Sequence, residues 1–278
     1  MEHKAREHNW LFLLLKGMIV IGAILQFFPL YWMVTSSFKV SHVVTRTPPQ
    51  WVPLQPTLVN YQNLFSNANA GGWLLNSIFL AGATTVVIVV VSAMAAYAFA
   101  KLRFWGRGVL FTVLVCTLML PKEIYIVPLF KVTQYLGIMG TFLGVILPSA
   151  AVAFGVFMLK NFFATVPDSL REAAKIDGAR EARIFLQVYL PLARAGVAAL
   201  VVLMFVQVWN DYLWQMIQLN KDSMKTLQLG IATLQHDQNP DYGLRMAGAT
   251  LAALPLVALF IAFQKHFTRG ITAGAIKE

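Results

Sequence analysis

The sequence predicts an all-α integral membrane protein: six transmembrane helices, with a short, charged cytoplasmic helical loop between helices 4 and 5. Three observations predict it. Of 278 residues, 58% are hydrophobic and only 12% charged, with a mean hydropathy of +0.64; a soluble domain carries about 25% charged residues. The apolar residues fall into runs near the ~20 residues that cross the hydrocarbon core. Finally, fifteen of the 22 Lys and Arg residues lie at the termini and alternate loops that the spans place on one side. The positive-inside rule makes that side the cytoplasm, so both termini and the 160–195 loop are expected inside. No long internal repeat interrupts the chain, and residues 1–278 read as a single domain.

Residues 1–16 are polar and basic, with Lys4, Arg6 and Lys16. The first span runs from Gly17 to about Ser36. Its Phe28-Pro29-Leu30-Tyr31-Trp32 end suits a membrane interface, and no small-residue cleavage site marks it as a signal peptide. Residues 37–72 form a polar outer loop with Pro48, Pro49, Pro53 and Pro56. Span two, 74–100, is rich in Ala, Gly, Ser and Thr, which let helices approach closely. Span three, 108–129, contains Cys116 and Pro121, and places Lys122 and Glu123 near a helix end or a wet cavity. With one cysteine, no disulfide forms within the chain. Span four, 140–159, has Pro148 in its middle and is expected to kink there. Span five covers 196–219. A last outer loop, 220–245, carries Asp222, Asp237, Pro240 and Asp241. Span six, 246–264, contains Pro255 and leads into a basic tail.

The 165–196 loop is the most charged stretch of the chain. Pro167, Asp168 and Ser169 are helix start signals, and Ser169 with Glu172 fits a capping box. Leu170, Ala173, Ala174 and Asp177 recur at helical spacing and leave one face small and smooth. Gly178 stands where the chain needs a left-handed backbone after a helix. A second helix is expected from about Arg180 to Leu190, ending at Pro191.

Glu172-Ala173-Ala174, Gly178 three residues on, and Val188-Tyr189-Leu190-Pro191 nine further resemble the EAA motif of ABC-importer permease subunits. Val188 stands where that motif usually has Ile, and Ala195 where the sugar-importer branch commonly has a second proline. In that family the loop is a coupling helix seated in a cleft of a separate ATPase. The resemblance therefore implies ATPase-coupling roles for Glu172, Ala173, Ala174, Asp177 and Gly178. Thr57 to Phe65, Trp209-Asn210-Asp211-Tyr212-Leu213 and the tail from Gln264 to Lys277 likewise resemble segments of carbohydrate permeases.

Span five holds the second candidate site. Polar side chains inside a membrane are costly and face protein or water. Asn210 and Gln215 donate and accept hydrogen bonds, Asp211 accepts, and Tyr212, Trp209 and Trp214 present flat apolar faces. That mixture suits a sugar, with its hydroxyls and C–H faces. Asn210, Asp211, Tyr212, Trp214 and Gln215 are the candidate substrate-path residues. On one continuous helix, Asn210 and Trp214 would share a face, and Asp211 and Gln215 the next. The plainer reading is an interfacial aromatic belt with helix–helix hydrogen bonds.

Catalysis is not expected. There is no G-x-x-x-x-G-K-[ST] phosphate loop, the five histidines lack metal-ligand spacing, and no paired carboxylates share an apolar span. The net charge of +10 records topology, not nucleic-acid binding. The resemblance implies a multi-pass inner-membrane permease importing a sugar, oligosaccharide or polyol. Its partners would be a second homologous permease, two cytoplasmic ATP-binding subunits, an extracytoplasmic solute-binding protein and lipid. No cofactor would sit in this chain, and ATP would be bound by the partner ATPase. A non-sugar ABC permease or an ion-coupled secondary transporter are the alternatives; the latter would show inverted repeats and intramembrane carboxylate relays.

Overall fold

The structure, a computed structural model, describes the backbone of residues 2–234 and 241–275 and the side chains of 10, 12–234 and 241–263. Asp237, Pro240 and Lys277, and the side chains of the 264–275 tail, lie outside the described residues. Among the described residues the chain is all-α, in the order α1 (Glu2–Ser37), α2 (Ser41–Val44), α3 (Val59–Ser66), α4 (Ala70–Lys101), α5 (Arg107–Cys116), α6 (Lys122–Tyr135), α7 (Phe142–Ser149), α8 (Ala153–Thr165), α9 (Asp168–Ile176), α10 (Glu181–Ile184), α11 (Leu190–Leu192), α12 (Arg194–Trp209), α13 (Leu213–Gln218), α14 (Leu227–Thr233) and α15 (Tyr242–Ala275).

Among the described residues, three helices are long and apolar enough to cross a membrane: Phe12–Ser37 of α1, α4, and Tyr242–Phe263 of α15. Three bent pairs supply the rest, giving up to six spans. Proline accounts for two of the bends. In place of a straight span over 108–129, α5 runs through a 3₁₀ turn to Met119, and the chain then turns by 107° into α6. Pro121 lacks an N–H and sits at the N-cap of α6, and the preceding Leu120 is extended (φ −90°, ψ 117°). Lys122 thereby begins a helix, as expected. Pro148 lies in the last turn of α7, which meets α8 at 46°. Pro255, by contrast, is accommodated inside α15.

The described chain forms two compact units, residues 1–70 with 231–253 and residues 71–230 with 254–278. In the first, the loop that follows α1 is tied to the end of that helix. Trp51 packs on Phe28 and Trp32, with ring centroids 5.7 and 5.8 Å away, and its carbonyl accepts the Tyr31 hydroxyl at 3.1 Å. Buried Lys39 donates to the Gln50 carbonyl at 2.6 Å and lies over the Trp32 ring. Asn60 clamps the carbonyls of Ser37 and Lys39, 2.8 Å from each. At the start of α15, Asp241 accepts the Leu244 N–H at 3.0 Å, an N-cap that satisfies an orphan donor.

The second unit is built on α4. Leu80 packs with Val145, Ile146, Trp214, Leu219 and Leu229 in its core. Lower down, α12 crosses α8 where Gly196 faces Phe162; a Cβ on Gly196 would stand 2.5 Å from that ring, so only glycine permits the approach. Cys116 is free and exposed at the end of α5.

Candidate functional site

The 165–196 loop is held rigidly at three points. At its entrance, the Lys101 ammonium at the end of α4 donates to the Val166 carbonyl and to the Asp168 carboxylate, both at 2.6 Å. That hydrogen bond holds the Asp168 carboxyl below the usual carboxylate range and places a negative charge in the first turn of α9, where the helix dipole favours it. The expected capping box is not formed. Pro167 is the N-cap, with no side-chain cap bond, so Ser169 is already helical when it would have to cap. Glu172 is exposed and makes no side-chain bond among the described residues.

The turn at Gly178 forms as the sequence predicts. Gly178 has φ +76°, its N–H bonds the Lys175 carbonyl at 3.0 Å, and the Ala179 N–H bonds the Ala174 carbonyl at 2.9 Å. This pair of bonds is the Schellman closure of a helix end.

The third tie is Glu181, at the start of α10. Its carboxylate accepts Arg171, Lys175 at 2.9 Å and the Tyr97 hydroxyl at 2.7 Å, thus joining α9, α10 and α4. The Arg171 hydrogen bond is the largest cause holding the Glu181 carboxyl at about 2, against an opposing effect of burial and with help from Tyr97 and Lys175. Beneath it, the Tyr97 ring meets Phe163, Phe185 and Tyr189 at 5.1 to 6.2 Å between centroids. From Phe185 to Tyr189 the backbone is a π-helix. Its wide turn brings Ile184 and Tyr189, five residues apart, both into the core.

What remains free is the outer face of α9. Glu172, Ala173, Asp177 and Gly178 are exposed; Ala174 is half-buried on the inner side with Arg171. Leu170 is exposed, and Ile176 is 87% exposed on an otherwise polar helix. Ile176 is not among the residues singled out from the sequence; its signal is a large apolar side chain between Lys175 and Asp177.

The second site is rearranged by a helix break. Span five does not run straight over 196–219: α12 stops at Trp209 and α13 begins at Leu213. The expected sharing of faces by Asn210 with Trp214, and by Asp211 with Gln215, does not hold, because it assumed one continuous helix. Side chains close the two ends. Asn210, the C-cap, donates Nδ2 to the Val206 carbonyl at 2.9 Å. Asp211 Oδ1 accepts the Trp214 N–H at 3.3 Å, and its Oδ2 pairs with Lys122 at 2.5 Å. Gln215 is buried, donating to the Val208 carbonyl at 2.9 Å and accepting the Thr226 hydroxyl at 2.7 Å. Trp214 is fully buried. Asn210 and Tyr212 are exposed, and the Asn210 Oδ1 and Tyr212 hydroxyl have no partner among the described residues. The break thus leaves Asn210, Asp211 and Tyr212 between the two helices, with Lys122 paired to Asp211, and Trp214 and Gln215 buried in the packing. Two hollows of about 480 and 560 Å³ lie along α1, but apolar side chains of α1 line them, which suits lipid and not a hydroxylated solute.

The family described as the binding-protein-dependent transport system inner membrane component matches residues 88–273. The chain is 33% identical over 271 residues to the arabinooligosaccharides transport system permease protein AraQ of Halalkalibacterium halodurans, covering 95% of this chain and 97% of that protein. It is 33% identical over 262 residues to the lactose transport system permease protein LacG of Rhizobium radiobacter, covering 94% of each. Its fold is similar to a chain in the crystal structure of a bacterial ABC transporter involved in the import of the acidic polysaccharide alginate. The TM-score is 0.86 at 22% identity, over 94% of this chain and 98% of the other.

Proposed function

We propose, from the premise that this chain belongs to the family of inner membrane components of binding-protein-dependent transport systems, that it is one of two permease subunits of an ABC importer for a carbohydrate. The family is a transport component, not an enzyme. The observation that carries the carbohydrate reading is the 33% identity, over nearly the whole of both chains, to relatives named for arabinooligosaccharides and lactose. Residues 1–278 act as one transmembrane domain with both termini in the cytoplasm, which the distribution of Lys and Arg supports. A solute-binding protein delivers the sugar outside, and two ATP-binding subunits dock inside.

In this reading α9 is the coupling helix. Its small Ala173 and exposed Ile176 enter a cleft of the ATPase, with Glu172 and Asp177 at the rim and Gly178 setting the exit angle. ATP-driven closure moves α9, and the Glu181 tie carries that movement into α4 through Tyr97. The nucleotide state thereby favours one of two conformations of the path, a differential-affinity switch.

Asn210 and Tyr212 face the sugar, while Asp211, Trp214 and Gln215 fix the broken helix that presents them. Asn210→Ala removes the free Oδ1 and is expected to raise the half-saturating solute concentration about two- to tenfold, the loss of one hydrogen bond of roughly 0.5–1.5 kcal/mol. Asn210→Leu keeps the bulk without a partner and should be worse. Uptake of several sugars by each variant, with complex yield as control, checks this. Unchanged transport of every sugar by both variants would make this face structural.

A further inference from the structure

We infer that the ion pair of Lys122 and Asp211 makes this chain's half of the path selective for uncharged saccharides over anionic ones; the inference rests on the carbohydrate reading above. Two helix breaks carry the pair, at 120–121 and 210–212. At 1.5 Å per residue, Leu120 stands about 20 Å along its span from Arg107, and Asn210 about 24 Å from Arg194. Both therefore fall within a core of about 30 Å. Irregular backbone at that depth persists only where protein covers it or it lines a water-filled cavity. Met119, Leu120, Asn210 and Tyr212 are exposed at these breaks, and in the carbohydrate reading above this surface lines the path between the two permeases.

The charges there are already balanced. Lys122 Nζ lies 2.5 Å from Asp211 Oδ2, with the two side chains 37% and 18% exposed. The neighbouring Glu123 is exposed and makes no ion pair among the described residues, so the surplus charge is negative. A carboxylate or phosphate arriving here meets a lysine neutralised by Asp211 and a second carboxylate beside it. To bind, it must take Lys122 from its partner and leave the Asp211 carboxylate without its cation. A neutral sugar has no such requirement. Its hydroxyls meet the Asn210 Oδ1, the Tyr212 hydroxyl and the remaining N–H donors of Lys122.

The test is equilibrium binding to the assembled permease–ATPase complex without its binding protein, so that the permeases alone select. The probes are a neutral oligosaccharide and a uronic-acid oligosaccharide of equal length. The wild-type complex is expected to bind the neutral one at least about tenfold more tightly, like charges across a binding surface being strongly disfavoured. Asp211→Asn keeps an oxygen for the Trp214 N–H and frees the lysine, so the preference should collapse or reverse. Lys122→Gln leaves Asp211 charged and should widen the preference, and this arm decides if Asp211→Asn yields no complex. Equal binding of both probes by the wild type, or an unchanged ratio in the variant that assembles, overturns this inference alone. Binding of neither probe by the wild type overturns the carbohydrate reading with it.

Discussion

Gly178→Val is expected to abolish uptake while the chain still inserts in the membrane. Gly178 has φ +76°, and a Cβ there would meet nothing within 4 Å. The whole cost is therefore in the backbone. A left-handed conformation costs an ordinary L-residue about 1–2 kcal/mol, and a β-branched side chain makes it a true outlier. The strain is relieved most cheaply by opening the two bonds that close α9, Gly178 N–H to Lys175 and Ala179 N–H to Ala174. That swings α9 relative to α10 and moves Ala173 and Ile176 out of register with any cleft. Gly178→Asn, which tolerates this backbone better, should keep most activity. Uptake and complex yield measured together check the result; normal uptake by Gly178→Val would show that the exit angle of α9 carries nothing.

An equally large loss of transport is expected from Glu181→Lys. Arg171, Lys175 and the Tyr97 hydroxyl all donate to this carboxylate. The substitution sets a third cation against two and removes the acceptor that joins α9 to α4. The expected phenotype is uncoupling: a complex that assembles and hydrolyses ATP without moving solute. Glu181→Gln should be milder, because it keeps an oxygen for Tyr97. The tie also has a predictable pH response. The Arg171 hydrogen bond, with help from Tyr97 and Lys175, holds the Glu181 carboxyl at about 2, below its ordinary value of 4.5. A carboxylate depressed in this way contributes fully above about pH 4.5 and is lost only as pH falls toward 2. Coupling in the parent should therefore be flat from pH 8 to pH 5. Parent-like uptake by Glu181→Lys would remove Glu181 from the transmission.

The long spans were readable because apolar length alone decides them: α1, α4 and α15 lie where the runs of the sequence put them. The turn at Gly178 was readable because one residue type meets its backbone need. The breaks were harder. Pro121 was visible, but a proline can either kink a span or end it, and here the extended Leu120 ends it. The break after Trp209 has neither proline nor glycine. It is made by Asn210 and Asp211, whose short polar side chains bond backbone groups on either side in place of the helix ladder. Tandem Asn-Asp is the available signal, and neither ligand chemistry nor an interfacial belt with helix–helix hydrogen bonds includes the break it makes. The Glu181 tie could not be read at all: Tyr97 lies 84 residues away along the chain, and only the packing of α4 against the loop brings it near.

The proposed docking of the outer face of α9 on an ATP-binding subunit inside the cell can be tested on the assembled importer. A direct measurement places a cysteine there, Ala173→Cys in a Cys116→Ser background, attaches a benzophenone maleimide to it before assembly, and photoactivates the assembled importer, so that the ketone inserts into a nearby C–H bond and needs no second thiol. The expected result is a covalent product with the ATP-binding subunit, together with protection of the unlabelled thiol from a maleimide added to the assembled complex. A thiol that labels as fully in the complex as in the isolated chain, or that reacts with an impermeant reagent added outside intact cells, would contradict it.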